Sequence, residues 1–132
     1  VLGTGSGCSF AKTHLLAALL RANRIPAGLC YQRLACRDDP GRYGLHGLAA
    51  VRLAQHGWYR LDPTRGADGL GIGEFSPPVE RFARNAVEPG EGNLPEVWTE
   101  PLPIVIEAMR ASVDCIDLAR RIPDIELVGA MR

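Results

Sequence analysis

Residues 45–62 read LHGLAAVRLAQHGWYRLD, a pattern typical of two strands joined by a short loop. Its two ends are rich in apolar and aromatic residues, and the Gln-His-Gly triplet between them contains the glycine typical of a short hairpin loop. The stretch therefore predicts two antiparallel strands, Leu45 to Ala54 and Trp58 to Asp62. In that pairing, Asp62 lies within reach of His46 on the neighbouring strand.

A helix and a strand are expected before the hairpin. Apolar residues recur there at helical spacing, at Ala11, Leu15, Ala18, Leu19 and Ala22, and Phe10 and Leu16 widen this stripe. We expect this helix to begin near Ser6 to Ser9, where a serine can cap the first N–H groups. It should end near Asn23, since the residue before Pro26 favours extended geometry. Ala27 to Leu34 then predicts the first strand, which is bounded by Pro26 and a turn cluster.

The second half of the chain contains fewer regular patterns. From Thr64 to Leu102 it is rich in Gly, Pro and Glu but also contains apolar residues, so we expect an extended segment wrapped over the core. Pro103 to Arg121 predicts one final helix. Its apolar residues near helical spacing are Ile106, Met109, Val113 and Ile116. The pattern as a whole predicts one α+β domain over residues 1–132, with an N-terminal helix packed on an antiparallel sheet.

Composition and charge exclude several classes of protein. The 132 residues contain 15 Lys and Arg and 15 Asp and Glu, so the net charge of 15 − 15 = 0 offers no attraction to nucleic acid or to anionic lipid. No apolar run approaches the ~18–20 residues of a membrane helix. No signal peptide or lipidation motif is visible, and a cytoplasmic location is the default expectation.

Cysteine, histidine and glycine patterns argue against metal and nucleotide sites. The four cysteines are Cys8, Cys30, Cys36 and Cys115. They show no C-x-x-C spacing, and the three histidines supply no H-x-x-x-H pair, so neither a zinc site nor a cofactor is expected. The glycines of residues 3–7 do not complete a phosphate-binding loop. A loop ending in Lys12 would need glycine where Ser6 and Ala11 stand.

Three residues supply the groups that nucleophilic catalysis requires. Cys8 stands where a glycine-rich turn becomes a helix, so helix N–H groups can stabilise its thiolate. His46 lies in an apolar strand, and Asp62 on the adjacent strand can hold its imidazole in one tautomer. Each alone has a structural explanation, Cys8 as a buried cysteine closing the helix and Asp62-Pro63 as a turn initiator. Together they make a nucleophile, a base and an orienting carboxylate.

The remaining candidates are expected to have structural roles. Tyr31 and Trp58 are predicted to be core aromatics, Cys30 and Cys36 to be inert, and His56 to be solvated in the hairpin turn.

Four pieces of the sequence occur together in a known family. They are Gly7-Cys8, LLAALLRANRIPA from Leu15 to Ala27, His46 on its strand, and GWYRLDPT from Gly57 to Thr64. In this combination residues 7–64 resemble the transglutaminase-like superfamily of cysteine enzymes, in particular bacterial transglutaminase-like cysteine peptidases. The resemblance implies a papain-like core in which Cys8 is the nucleophile, His46 the general base and acid, and Asp62 the residue that orients His46.

The resemblance also implies a reaction. It is acyl transfer or hydrolysis at an amide or peptide bond of a peptide or protein, through a thioester on the cysteine, and we favour hydrolysis. The sequence departs from the family at His46-Gly47-Leu48, where a His-Ala-Trp-like triplet is common. The source of a second oxyanion donor also stays open. The alternative is a catalytically inactive module that binds a peptide or protein partner in the same groove.

Overall fold

A computed structural model describes residues 8–64 and 75–125 of the chain. The elements in chain order are α1 (Ser9–Ala22), β1 (Ala27–Ala35), β2 (Tyr43–Leu53), β3 (Gly57–Leu61), β4 (Phe75–Ser76), β5 (Val79–Glu80), β6 (Gly92–Asn93), α2 (Pro103–Ala111) and α3 (Cys115–Arg120). None of these three helices is long and apolar enough to cross a membrane.

Four of the strands form one antiparallel sheet, in the order β3-β2-β1-β6. β2 and β3 are the predicted hairpin, and their pairing ends at Ala49 with Leu61, just before Asp62. β1 pairs with β2 along its whole length and sets Gln32 opposite His46. The prediction of an α+β fold with a helix on an antiparallel sheet is confirmed.

The buried face of α1 differs from the predicted one. Phe10 is buried as predicted, but it shares its face with buried Thr13 and Ala17, whereas Leu19 of the expected stripe is 50% exposed. Gly47 makes the close packing possible, because a Cβ atom there would lie 2.9 Å from Phe10 Cδ1 and 3.0 Å from Thr13 Oγ1. Alanine and leucine occupy most sides of this helix. The spacing of apolar residues alone therefore could not predict which side of α1 packs against Gly47.

The ends of α1 lie where the sequence predicts them, but the expected serine cap is wrong. Cys8 is the N-cap residue, and its side chain makes no capping hydrogen bond. At the other end the Asn23 side chain donates to the Leu19 carbonyl at 2.8 Å, and Arg24 then turns the chain with a φ of 60°. The helix therefore presents Cys8 at its N-terminal end.

The two faces of the sheet bury different clusters of side chains. The larger cluster, on the side of the three helices, contains Phe10, Tyr31, Leu45, Leu94, Leu102, Val105 and Leu118. The smaller cluster contains Cys30, Leu48 and Ala50, with Phe82 and Val97 packed against it. Because side chains alternate along a strand, His46 shares the face of Leu48, while Gly47 faces α1.

An extended segment covers the face of the smaller cluster, as the sequence predicts for residues 75–102. The expected segment also includes residues 65–74, which lie outside the described part of the chain. β6 pairs with the end of β1, and Trp98 bridges to Leu29 through two backbone hydrogen bonds of 2.8 and 2.7 Å.

Two carboxylates tie this segment to the sheet. The Glu91 side chain is fully buried and accepts hydrogen bonds from the Ala35 N–H at 2.7 Å and from Arg84 Nη2 at 2.6 Å. Glu80 accepts from the Arg60 N–H at 2.6 Å and from its Nη2 at 2.8 Å. The segment is thereby fixed over the face of the sheet that carries His46.

The single C-terminal helix predicted over Pro103 to Arg121 is wrong, since the chain forms α2 and α3 instead. At the break the Ser112 hydroxyl donates to the Ala108 carbonyl at 2.7 Å, and Asp114 caps α3 by accepting from the Asp117 N–H at 2.8 Å. Such side-chain bonds to the backbone compete with a continuous helix. Two residues of the expected buried stripe are exposed, Val113 and Ile116.

Candidate active site

The structure brings His46 and Asp62 into direct contact. His46 lies on β2 and Asp62 directly follows β3, and the Nε2 atom of His46 is 3.0 Å from Oδ2 of Asp62. The His46 side chain keeps 19% of its surface exposed, whereas that of Asp62 is fully buried. The bond leaves Nδ1 as the imidazole nitrogen available to a second partner.

Both oxygens of Asp62 accept hydrogen bonds. Oδ1 accepts from the Thr64 N–H at 3.0 Å and from its hydroxyl at 2.5 Å, and Oδ2 also accepts from the Ala83 N–H at 2.9 Å. Burial alone would raise the pKa of Asp62, but the hydrogen bond and charge of His46, with those from Thr64 and Ala83, hold it below its ordinary value. The carboxylate is thus ionised at neutral pH and able to stabilise an imidazolium.

Sequence reasoning missed Thr64 and Ala83 as partners of Asp62. The Asp-Pro-Thr sequence contains a signal for the first, because an aspartate commonly bonds to the backbone two residues further on. Asp62 therefore both closes a turn, through Oδ1, and contacts His46, through Oδ2. Nothing in the sequence predicts the bond from Ala83, because the donor is a backbone N–H, which nearly every residue has.

Cys8 stands at the N-terminal end of α1 with a half-buried thiol that forms no disulfide. Its carbonyl accepts the first hydrogen bond of the helix, from the Lys12 N–H at 2.9 Å. The first N–H groups of a helix lack intrahelical partners, and the first turn of α1 contains no acidic side chain. This end of the helix therefore offers backbone N–H groups to an anionic partner.

The thiol that lies beside Cys8 in the structure is Cys115. Desolvation and the neighbouring Cys8 raise the pKa of Cys115. Cys8 packs against the larger cluster, which also holds Leu118 of α3. Within residues 8–64 and 75–125, no hydrogen bond joins Cys8 to His46. Of the three predicted site residues, the structure thus joins His46 and Asp62.

Other candidates have the environments of structural residues. Cys30 is fully buried, and this burial raises the pKa of its thiol to about 11, so it is protonated at neutral pH. Tyr31 is buried as predicted and accepts a hydrogen bond from the Leu102 N–H at 3.1 Å. Trp58 is 43% exposed, so its assignment to the core is wrong. Across the described ranges, no group of three or more His, Cys, Asp or Glu residues is placed to hold a metal ion.

Comparisons with known proteins concern the part of the chain that carries these residues. Residues 1–63 match the family model of the transglutaminase-like superfamily. No curated protein and no solved structure matches the chain. The resemblance to the transglutaminase-like superfamily is therefore confirmed over residues 1–63, the segment that contains Cys8, His46 and Asp62.

Proposed function

We propose that this chain is a cysteine-dependent enzyme that cleaves an amide or peptide bond of a peptide or protein through a thioester. The observation that carries the proposal is the contact between His46 Nε2 and the buried, ionised Asp62, at 3.0 Å. An imidazole held in this way keeps Nδ1 for proton transfer, as a general base requires. Both residues lie in the segment that matches a superfamily of cysteine enzymes.

Cys8 would supply the nucleophile in the first half of the reaction. His46 Nδ1 removes the thiol proton, the sulfur attacks the carbonyl carbon, and the carbonyl π electrons move onto oxygen. The N–H groups of Cys8 and of the first turn of α1 would donate to that oxyanion. When the intermediate collapses, the amine leaves with the proton from His46, and the acyl group stays on Cys8.

Water would complete the reaction. His46 removes a proton from water, the resulting hydroxide attacks the thioester, and the Cys8 thiolate leaves. Asp62 stabilises the imidazolium that forms in each half. Both Cys8 and His46 keep part of their surface exposed, so water can reach the thioester, and hydrolysis is favoured over crosslinking to an amine.

The proposed step requires the Cys8 thiol to turn from Cys115 towards His46. Gly47, next to His46, lies against Phe10 in the first turn of α1, so the two backbones meet here, while the His46 side chain lies on the other face of the sheet with Leu48. Rotation of a partly exposed side chain between rotamers is fast, on the order of picoseconds to nanoseconds.

We further propose that residues 1–132 act as one domain with a papain-like arrangement of helix and sheet. The support is that the surroundings of the site extend past the family match at residue 63. The Ala83 N–H binds Asp62, and Cys115 lies beside Cys8. The second half of the chain thus contributes to the same site.

Alkylation by iodoacetamide, resolved by cysteine with mass spectrometry between pH 5 and 9, tests the proposal. The Cys115→Ser variant is used, so that Cys8 has no neighbouring thiol. At pH 6 we expect Cys8 to react at least ~10-fold faster than half-buried Cys36, because a thiolate paired with imidazolium persists well below the ordinary thiol pKa of ~8.5.

The histidines provide matched controls for this experiment. His46→Ala should remove the advantage of Cys8, while His56→Ala, at an exposed position in the hairpin turn, should leave it unchanged. Equal rates for Cys8 and Cys36 in the protein with His46 intact would contradict the proposal. That result would favour a module that binds a peptide or protein partner without catalysis.

A further inference from the structure

A fully buried glutamine lies on the strand next to His46. Gln32 on β1 pairs directly with His46 on β2, so the two side chains project from the same face of the sheet. Gln32 is 0% exposed. Burying an amide costs free energy unless it is hydrogen-bonded, so the partners of this amide indicate what it does.

The Gln32 amide nitrogen donates to two acceptors. Nε2 lies 3.0 Å from the Arg84 carbonyl oxygen and 2.9 Å from Oδ1 of Asn93. Because a carbonyl oxygen only accepts, the nitrogen and not the oxygen of the amide must face Arg84. Asn93 is also the residue that pairs with Gln32 in the sheet, so the bond to Arg84 is the one that fixes backbone outside the sheet.

This bond fixes the part of the covering segment that contacts Asp62. Ala83, the residue before Arg84, donates its N–H to Oδ2 of Asp62 at 2.9 Å. The same Oδ2 lies 3.0 Å from Nε2 of His46. Consecutive Cα atoms are only ~3.8 Å apart, so a shift of the carbonyl that Gln32 holds also moves the N–H that Asp62 receives.

The side chain of Arg84 is anchored separately from its backbone. Nη1 donates to the Ala35 carbonyl at 2.8 Å, and Nη2 donates to Glu91 at 2.6 Å. In the described part of the chain, the hydrogen bond that the Arg84 carbonyl accepts is the one from Gln32. Oε1 of Gln32 is buried and has no partner among the described residues, so these contacts use the amide only as a donor.

We propose that Gln32 is a positioning residue of the candidate site. By holding the covering segment, it keeps the Ala83 N–H on Oδ2 of Asp62, and the carboxylate thereby stays aligned with His46. Gln32 itself touches no reacting atom. The benefit to catalysis rests on the proposed function, whereas the placement of the Ala83 N–H does not.

Amide hydrogen exchange at Ala83, followed by NMR on the full chain, tests the proposal. Gln32→Met keeps the length of the side chain but removes its N–H groups. We expect the Ala83 N–H to exchange at least ~10-fold faster in this variant, while the amides of β2 change less. Asn93→Ala is the matched control, because it removes the other hydrogen bond of Gln32 and should leave exchange at Ala83 unchanged.

Protonation of Asp62 gives a second readout, which a purely structural role of Gln32 would not move. Burial raises the pKa of Asp62 and its hydrogen bonds lower it, the bond from Ala83 included, so loss of this bond should raise the pKa. In Gln32→Met the shift of the Asp62 carboxyl carbon should therefore begin to change at a higher pH. Gln32→Asn, whose amide is one methylene shorter, should act in the same direction and replaces Gln32→Met if that variant does not fold.

Unchanged exchange at Ala83 in a folded Gln32 variant would overturn the proposal, as would an equal acceleration in Asn93→Ala. The proposed function is judged separately, by alkylation of Cys8. If Ala83 responds as expected but Cys8 shows no reactivity that depends on His46, the positioning role stands and the proposed function fails. If Cys8 shows that reactivity but Ala83 does not respond, the function stands and the positioning role fails.

Discussion

At the scale of single residues, the two oxygens of Asp62 let one side chain fill two roles. Oδ1 closes the turn through the backbone and hydroxyl of Thr64, while Oδ2 accepts from His46 and from the Ala83 N–H. An amide can replace one of these oxygens but not both, since its nitrogen only donates. The position therefore needs a carboxylate for its structure as well as for the imidazole.

We expect Asp62→Asn to lower both the stability of the protein and the reactivity of Cys8. The amide nitrogen would leave a buried N–H without an acceptor, which costs ~1–3 kcal/mol in urea unfolding. It would also favour the wrong tautomer of His46, so alkylation of Cys8 at pH 6 should fall to the rate of Cys36. Thr64→Val is the matched control, because it keeps the carboxylate and removes only one hydroxyl. Unchanged Cys8 reactivity in Asp62→Asn would exclude Asp62 from the mechanism.

At the scale of elements, the sequence predicts what local pattern determines. The hairpin and its register follow from residues 45–62, so the proximity of His46 and Asp62 could be predicted. The place of Cys8 at a helix start follows from the glycines before it and the apolar residues after it. Contacts between distant elements could not be predicted, because the Ala83 N–H and Cys115 reach the site through packing of the second half of the chain.

The covering segment gives a second prediction at this scale. Glu91 binds the Ala35 N–H at the end of β1, the Arg84 guanidinium and the Glu88 N–H, all through a fully buried side chain. We expect Glu91→Gln to destabilise the protein by ~2–4 kcal/mol in urea unfolding, because it removes a fully buried carboxylate that binds the half-buried Arg84 guanidinium and two backbone N–H groups. Glu88→Gln, at an exposed side chain, should change stability by less than ~0.5 kcal/mol. Equal effects of the two variants would show that Glu91 does not anchor the segment.

Over the whole molecule, three carboxylates join the covering segment, residues 75–102, to the sheet. Asp62 binds the Ala83 N–H, Glu80 binds Arg60, and Glu91 binds the end of β1. Because the net charge of the chain is zero, the whole protein exerts little long-range electrostatic force, and these carboxylates act through their local hydrogen bonds. The covering segment and the site on the sheet beneath it therefore depend on the ionisation of the same few groups.

Stability should accordingly fall in acid. Burial opposes ionisation of each carboxylate, but hydrogen bonds from His46 to Asp62, from Arg60 to Glu80 and from Ala35 to Glu91 outweigh it and lower their pKa values. Between these lowered values and the unfolded ones of ~3.9 for Asp and ~4.3 for Glu, the unfolded chain binds more protons, so stability rises with pH.

We expect the free energy of unfolding to begin to fall between pH 7 and 5, because burial lowers the pKa of His14 below its ordinary value of 6.5 and the unfolded chain binds that proton more readily. Below about pH 4 it should fall by up to ~1.4 kcal/mol per pH unit for each of the three groups. Urea unfolding at successive pH values measures this slope, and Glu91→Gln should make it shallower by removing one titrating group. A free energy at pH 3 equal to that at pH 7 would contradict the ionised state assigned to Asp62, and with it the electrostatic basis for His46 as a base.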